Sequence, residues 1–213
     1  MLSIGEPLVV EDELLVLMMI EGMLADIGCD CVTAAATVGK ALALIGAQVF
    51  DTYDEMTKAV NDLDLDVTPD HIMVLRNAGP IGGPGMPEWG MLPIPKKLLK
   101  QGVRDMLRIS DARMSGTSYG ACILHVSPEA HIGGPLAAVR TGDLITVDVP
   151  KRSIHLHVSD EQIADRLRTW SPPPRDYPRG YNKLFAQHIR QAHEGCDFDF
   201  LEGSGGVPEP EIH

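Results

Sequence analysis

The apolar positions of the chain change their spacing several times, and each change predicts an element. Leu8-Val9-Val10 is a short apolar run, followed by Glu11-Asp12-Glu13 and by a helical spacing from Leu14 to Asp26 that stops at Gly28. That order predicts a strand, an acidic turn and a glycine-terminated helix. Cys31-Val32-Thr33 reads as a second short strand and Thr37 to Ile45 as a second helix, which makes two βα units. Beyond Gly46 the pattern predicts a helix from Tyr53 to Asn61, an acidic loop through Asp62, Asp64 and Asp66, and a strand from His71 to Leu75.

Glycine and proline then dominate. Arg76 to Gly90 reads Arg-Asn-Ala-Gly-Pro-Ile-Gly-Gly-Pro-Gly-Met-Pro-Glu-Trp-Gly, a rigid loop whose glycines permit positive φ or close approach of backbone to a ligand. It is no P-loop, because Gly-Lys-Ser/Thr is absent. A helix is expected from Pro95 to Gly102, a strand around Met106 to Ile109, and a second loop of small and polar residues from Ser110 to Thr117. Leu144 to Val149 and Ser153 to Val158 alternate with period two on either side of Pro150-Lys151-Arg152, a hairpin pattern. Ser159-Asp160-Glu161 caps a helix to about Thr169, Pro172-Pro173-Pro174 ends it, and Tyr181 to Ala192 reads as a last amphipathic helix. The tail from Gly203 is expected to be loose, and there is no internal repeat.

A chain of 213 residues with ordinary apolar and charged fractions can bury one good core or two small ones. No apolar run reaches the roughly 18 residues of a bilayer span, and no basic residue precedes an apolar stretch at the N-terminus. A soluble cytoplasmic protein, with no membrane partner, is the expectation. The formal charge of −12 repels phosphate backbones and argues against nucleic acid as a partner. Cys29, Cys31, Cys122 and Cys196 show no metal-finger spacing, and free thiols are expected.

The segment from Pro7 to about Ile45 resembles the first half of a response-regulator receiver domain, in which an acidic pair after the first strand helps bind magnesium. Glu11 and Asp12 match that pair. The family's phosphoacceptor, its later Thr or Ser and its Lys have no equivalents, and Asp51 matches the acceptor only by count. An acidic turn on a solvated loop fits the two residues better.

Leu75-Arg76-Asn77-Ala78-Gly79-Pro80 with Gly85-Met86-Pro87-Glu88, then Ser110 to Gly116, His125-Val126-Ser127-Pro128-Glu129-Ala130 and Gly133-Gly134-Pro135 carry a second resemblance. They are similar to the C-terminal domain of the dihydroxy-acid and sugar-acid dehydratases, from about Ala47 to the C-terminus. Ser-Asp-Ala-Arg-Met-Ser-Gly, preceded by Pro95-Lys96-Lys97, resembles the aldonate branch (arabinonate, xylonate and related acids) more than the branch of branched-chain amino-acid synthesis. The resemblance implies a mixed α/β fold: residues 47–213 as a barrel-like, swivelling β/β/α domain with flanking helices, preceded by residues 1–46 as a receiver-like βαβα fragment that extends or covers its sheet.

The implied activity is that of a hydro-lyase, removing water from a 2,3-dihydroxy acid to give a 2-keto-3-deoxy acid. It needs a base for the C2 proton, a Lewis acid for the 3-hydroxyl and a cation for the carboxylate. The family uses a two-iron, two-sulfur cluster and magnesium. By resemblance the base is Ser115, as an alkoxide, and Glu88 is a magnesium-facing carboxylate. A serine hydroxyl is too weakly acidic to serve unaided. Gly116 and Thr117 offer backbone N–H groups there, Arg113 offers charge, and Gly85 belongs to the same substrate-side loops. Composition alone makes Ser115 a turn residue, Glu88 a surface acid and Arg113 a salt-bridge partner; the ordered motif sets Ser115 and Glu88 above that reading.

The family's cluster cysteines and Cys-Asp-Lys magnesium motif are not found: Cys29-Asp30 is followed by Cys31, and Cys196-Asp197 by Phe198. No cofactor is therefore expected in the isolated chain, and no turnover; a small aldonate is a substrate only with a cluster-bearing domain. The competing expectation is a catalytically silent module that pairs as a homodimer through exposed apolar surface, with a signalling receiver last. His155 and His157 share one strand face, either a two-point metal site or, more commonly, solvent-facing hairpin residues.

Overall fold

The computed structural model describes residues 42–84, 92–115, 118 and 120–201. Its first element, β1 (Leu42–Phe50), is a nine-residue strand. This corrects the helix expected from Thr37 to Ile45, of which Leu42 to Ile45 is strand. The segment Leu-Ala-Leu-Ile-Gly-Ala-Gln-Val-Phe lacks polar alternation and is rich in good helix formers. Pairing on both edges overrides that local preference, as it does in a strand covered on both faces. The division expected between residues 46 and 47 falls inside this strand.

Along the chain follow α1 (Tyr53–Asn61), β2 (Ile72–Leu75), α2 (Lys96–Lys100), β3 (Arg108–Ser110), β4 (Cys122–Ile123), a 3-10 turn (Ala130–Ile132) and α3 (Pro135–Ala138). The hairpin β5 (Leu144–Asp148) and β6 (Ser153–Leu156), α4 (Asp160–Arg168), α5 (Tyr181–His188) and a 3-10 turn (Ala192–Glu194) complete it. The sheet order is β4-β3-β2-β1-β5-β6. Parallel pairing sets Ala47 opposite Ile72, Val74 opposite Ile109 and Arg108 opposite Cys122. β5 runs antiparallel to β1 and pairs with β6 as the alternation predicted, Val147 opposite Ile154. The result is a mixed α/β fold with the sheet curled into a half-barrel.

All four residues of β2 are buried. Ile72 and Val74 pack with Ile109, Ile145 and Val147, whereas Met73 and Leu75 pack with Phe50, Met56 and Leu98. Alternate side chains of one strand therefore feed two hydrophobic clusters, one on each face of the sheet. Burial on both faces explains why this segment alternates so weakly in polarity.

Local capping explains the helices that the pattern predicted best. Thr52 Oγ1 accepts the Glu55 N–H at 3.1 Å and Glu55 Oε2 accepts the Asp51 N–H at 2.9 Å, which starts α1 at Tyr53. Ser159 and Gln162 form a reciprocal capping box at α4. The helix expected to reach Ala192 instead ends at His188, because Ile189 turns extended and bridges Phe198.

Candidate active site

Four parallel strands end on the same side of the sheet, at Phe50, Leu75, Ser110 and Ile123. In open α/β sheets that edge is where ligands bind. The two glycine-rich loops of the sequence leave from Leu75 and Ser110, so they start on neighbouring strands.

Asp111, the first residue after β3, is fully buried. Its Oδ2 accepts the N–H of Asn77 at 3.1 Å and of Ala130 at 2.9 Å, and its Oδ1 accepts the N–H of Ala78 at 3.0 Å. Asn77 holds a left-handed conformation, φ +62°, which turns successive N–H groups toward the carboxylate. Glu129, 1% exposed, continues the arrangement: Oε1 accepts the Ile81 N–H and Oε2 the Gly82 N–H, both at 2.8 Å. A Cβ on Gly79 would stand 2.7 Å from Glu129 Cβ, and one on Gly82 would stand 2.6 Å from the Asn77 carbonyl oxygen. Glycine is required at both positions because backbone and carboxylate approach so closely.

Burial pushes the Asp111 carboxyl up to about 7, with the N–H donors of Ala130, Ala78 and Asn77 pulling down and the charge of Glu129 pushing up. Two acids are thus held in the interior on the strength of backbone N–H groups, the kind of compensation that buried carboxylates need.

The returning ends of both loops meet at Arg108, also fully buried. Its Nη1 donates to the Leu92 carbonyl at 2.8 Å and its Nη2 to Asp105 Oδ1 at 2.9 Å, while Asp105 Oδ2 accepts the Ala121 N–H at 2.8 Å. The Leu92 N–H in turn donates to Met114 Sδ at 3.2 Å. Leu92 follows Glu88 by four residues and Met114 precedes Ser115 by one. The ion pair therefore joins Leu92 to Ala121, and the separate Leu92–Met114 bond joins the chain after Glu88 to the residue before Ser115.

Of the residues singled out in the sequence, Ser115 is half-buried, its carbonyl accepting the Ser118 N–H at 2.9 Å, and Arg113 is exposed. Gly85, Glu88, Gly116 and Thr117, with Glu11 and Asp12, lie outside the described residues. Asp51 forms an ion pair with Arg76 at 2.6 Å, and Arg76 also caps the carbonyls of Leu136, Ala137 and Val139 and lies over the Trp170 ring. Asp111, Glu129 and Arg108 had no assigned role in the sequence reading, although the first two stand inside the quoted motifs; an acid among small residues in a glycine-rich loop is the signal for them. Gln191 carries no local signal.

Among the described residues no group of three or more His, Cys, Asp or Glu side chains is placed to hold a metal ion. Cys122 Sγ donates to Met114 Sδ at 3.9 Å, and His157 Nε2 is 2.7 Å from Thr146 Oγ1. These residues do not supply a ligand set for an iron–sulfur cluster or a cation. No helix among them is long and apolar enough to cross a membrane.

Comparison with known proteins places these loops in context. A family model described as Dihydroxy-acid/6-phosphogluconate dehydratase C-terminal matches residues 4–196. The 6-deoxy-6-sulfo-D-gluconate dehydratase of Pseudomonas putida is 56% identical over 167 residues, covering 78% of this chain and 29% of that protein. The L-arabinonate dehydratase of Rhizobium leguminosarum bv. trifolii (strain WSM2304) is 52% identical over 161 residues, 75% of this chain and 28% of that protein. The dihydroxy-acid dehydratase of Desulfatibacillum aliphaticivorans is 41% identical over 177 residues, 82% of this chain and 31% of that protein. The chain therefore spans less than a third of the length of these relatives. The family match begins at residue 4 and takes in the segment that resembled a receiver, so the receiver reading of Glu11 and Asp12 is not supported. The chain belongs to the dihydroxy-acid/6-phosphogluconate dehydratase C-terminal family.

Proposed function

We propose that this chain is the proton-abstracting part of an aldonate dehydratase, complete only with a cluster-bearing domain. Ser115 takes the C2 proton of a 2,3-dihydroxy acid, the C3 hydroxyl leaves with a proton as water, and the enol gains a proton at C3 to become the 2-keto-3-deoxy acid. When bound, the iron–sulfur cluster and magnesium of the family would supply Lewis acidity and hold the substrate carboxylate. The higher identity to sugar-acid than to dihydroxy-acid dehydratases supports an aldonate as substrate.

The observation that carries the reading is the carboxylate of Asp111, which bonds the loop leading toward Glu88 to the strand end that leads to Ser115. It holds the starts of the two loops, after β2 and after β3, together at one edge of the sheet. In the same reading the dehydratase unit begins no later than Leu42, because β1 lies between β2 and β5 at the centre of the sheet. The test is an aldonate panel assayed for keto-acid product, with the chain alone and with the cluster-bearing portion of a related dehydratase. Product from the pair and none from the chain alone is expected; product from the chain alone, or none from a cluster-loaded pair, contradicts the proposal.

A further inference from the structure

Gln191 lies 62 residues beyond Glu129 and is bonded to it twice. Its Oε1 accepts the Glu129 N–H at 2.8 Å, and its Nε2 donates to Glu129 Oε1 at 2.8 Å. That oxygen is the one that accepts the Ile81 N–H. Gln191 is itself 7% exposed, and the segment around it is held independently, by the Ile189–Phe198 bridge and by His193 Nδ1 at 2.6 Å from Ser127 Oγ. The carboxylate that grips the glycine-rich loop is thus oriented by a side chain from the far end of the domain.

We infer that Gln191 is a positioning residue: by fixing the Glu129 carboxylate against Ile81 and Gly82 it sets the glycine-rich loop on which the proposed reaction depends. The inference rests on that functional reading, but the latch is measurable without turnover. Among the described residues, Asp111 and His131 feel the charge of Glu129, and Glu194 accepts the Gln191 N–H at 3.1 Å. Glu129 Oε1 accepts from Gln191 Nε2 and from the Ile81 N–H, so the amide supplies the one side-chain donor shown on that oxygen among the described residues. A carboxylate of the same shape would face Glu129 with like charge.

The test is amide hydrogen exchange in the full chain, comparing wild type with Gln191→Glu and Gln191→Met. At about pH 8, after correction for intrinsic rates, Gln191→Glu should speed exchange of Ile81 and Gly82 by roughly tenfold or more. The sheet amides of Met73 and Arg108, bonded to Leu107 and Ala121, should not change. Gln191→Met should loosen the same two amides. Exchange of Ile81 and Gly82 within about twofold of wild type in both variants, or a parallel rise in the sheet amides, overturns the inference. Failure of the dehydratase reading would appear separately, as absence of turnover with the latch intact.

Discussion

Asp111 and Ala78 are 33 residues apart in the chain, and the Ala78 N–H donates to Asp111 Oδ1 at 3.0 Å. With the bonds from Asn77 and Ala130, this carboxylate joins three separate stretches of the family's motifs. Four predictions follow from it and from its neighbours.

Asp111→Asn keeps the shape but turns one acceptor atom into a donor that must face a backbone N–H. Loss of about 1–3 kcal/mol is expected for each buried donor left unsatisfied. Urea unfolding should show a lower midpoint with an unchanged slope, the mark of lost stability rather than altered compactness.

The same residue sets a pH dependence. Its carboxyl is raised by burial from 3.8 to about 7, so between those values the folded state holds more protons than the unfolded one. Stability contributed by this group is therefore present below its unfolded pKa and falls as pH rises toward 7. Urea midpoints measured across that window should decline in the wild type, and the decline should be smaller in Asp111→Asn.

Gly79→Ala places a methyl group 2.7 Å from Glu129 Cβ and 2.8 Å from its Oε2. The carboxylate must move off the Gly82 N–H, and a cost of about 1–3 kcal/mol is expected. Thermal unfolding measures it, and Gly79→Ala combined with Glu129→Ala should cost less than the sum of the two.

Arg108→Lys retains the charge but not the fork that reaches Leu92, Met106 and Asp105 together. Since Asp105 is 31% exposed and can be hydrated, the loss should stay at about 2–4 kcal/mol. The Ala121 amide should exchange faster than in the wild type.

What the sequence discloses here is mostly local. Thr52 and Ser159 cap α1 and α4 with bonds spanning three residues, and β5 and β6 alternate in polarity, so these elements are readable from the pattern. β1 is not, because its strand character comes from β2 and β5, whose residues pair with it from far along the chain. Ser115 and Glu88 are proposed on an ordered motif rather than on any physical signature of their own. Asp111, Glu129 and Gln191 act through bonds spanning 34, 48 and 62 residues, distances at which no local periodicity carries information.

The most direct measurement is the turnover number for aldonate dehydration by this chain assembled with a cluster-bearing dehydratase domain, in wild type and in Ser115→Ala. Loss of roughly a hundredfold or more in Ser115→Ala, the scale of a removed general base, with cluster content and folding unchanged, is the predicted result. Turnover in Ser115→Ala equal to that of the wild type would contradict the assignment of the base and with it the proposed role of the chain.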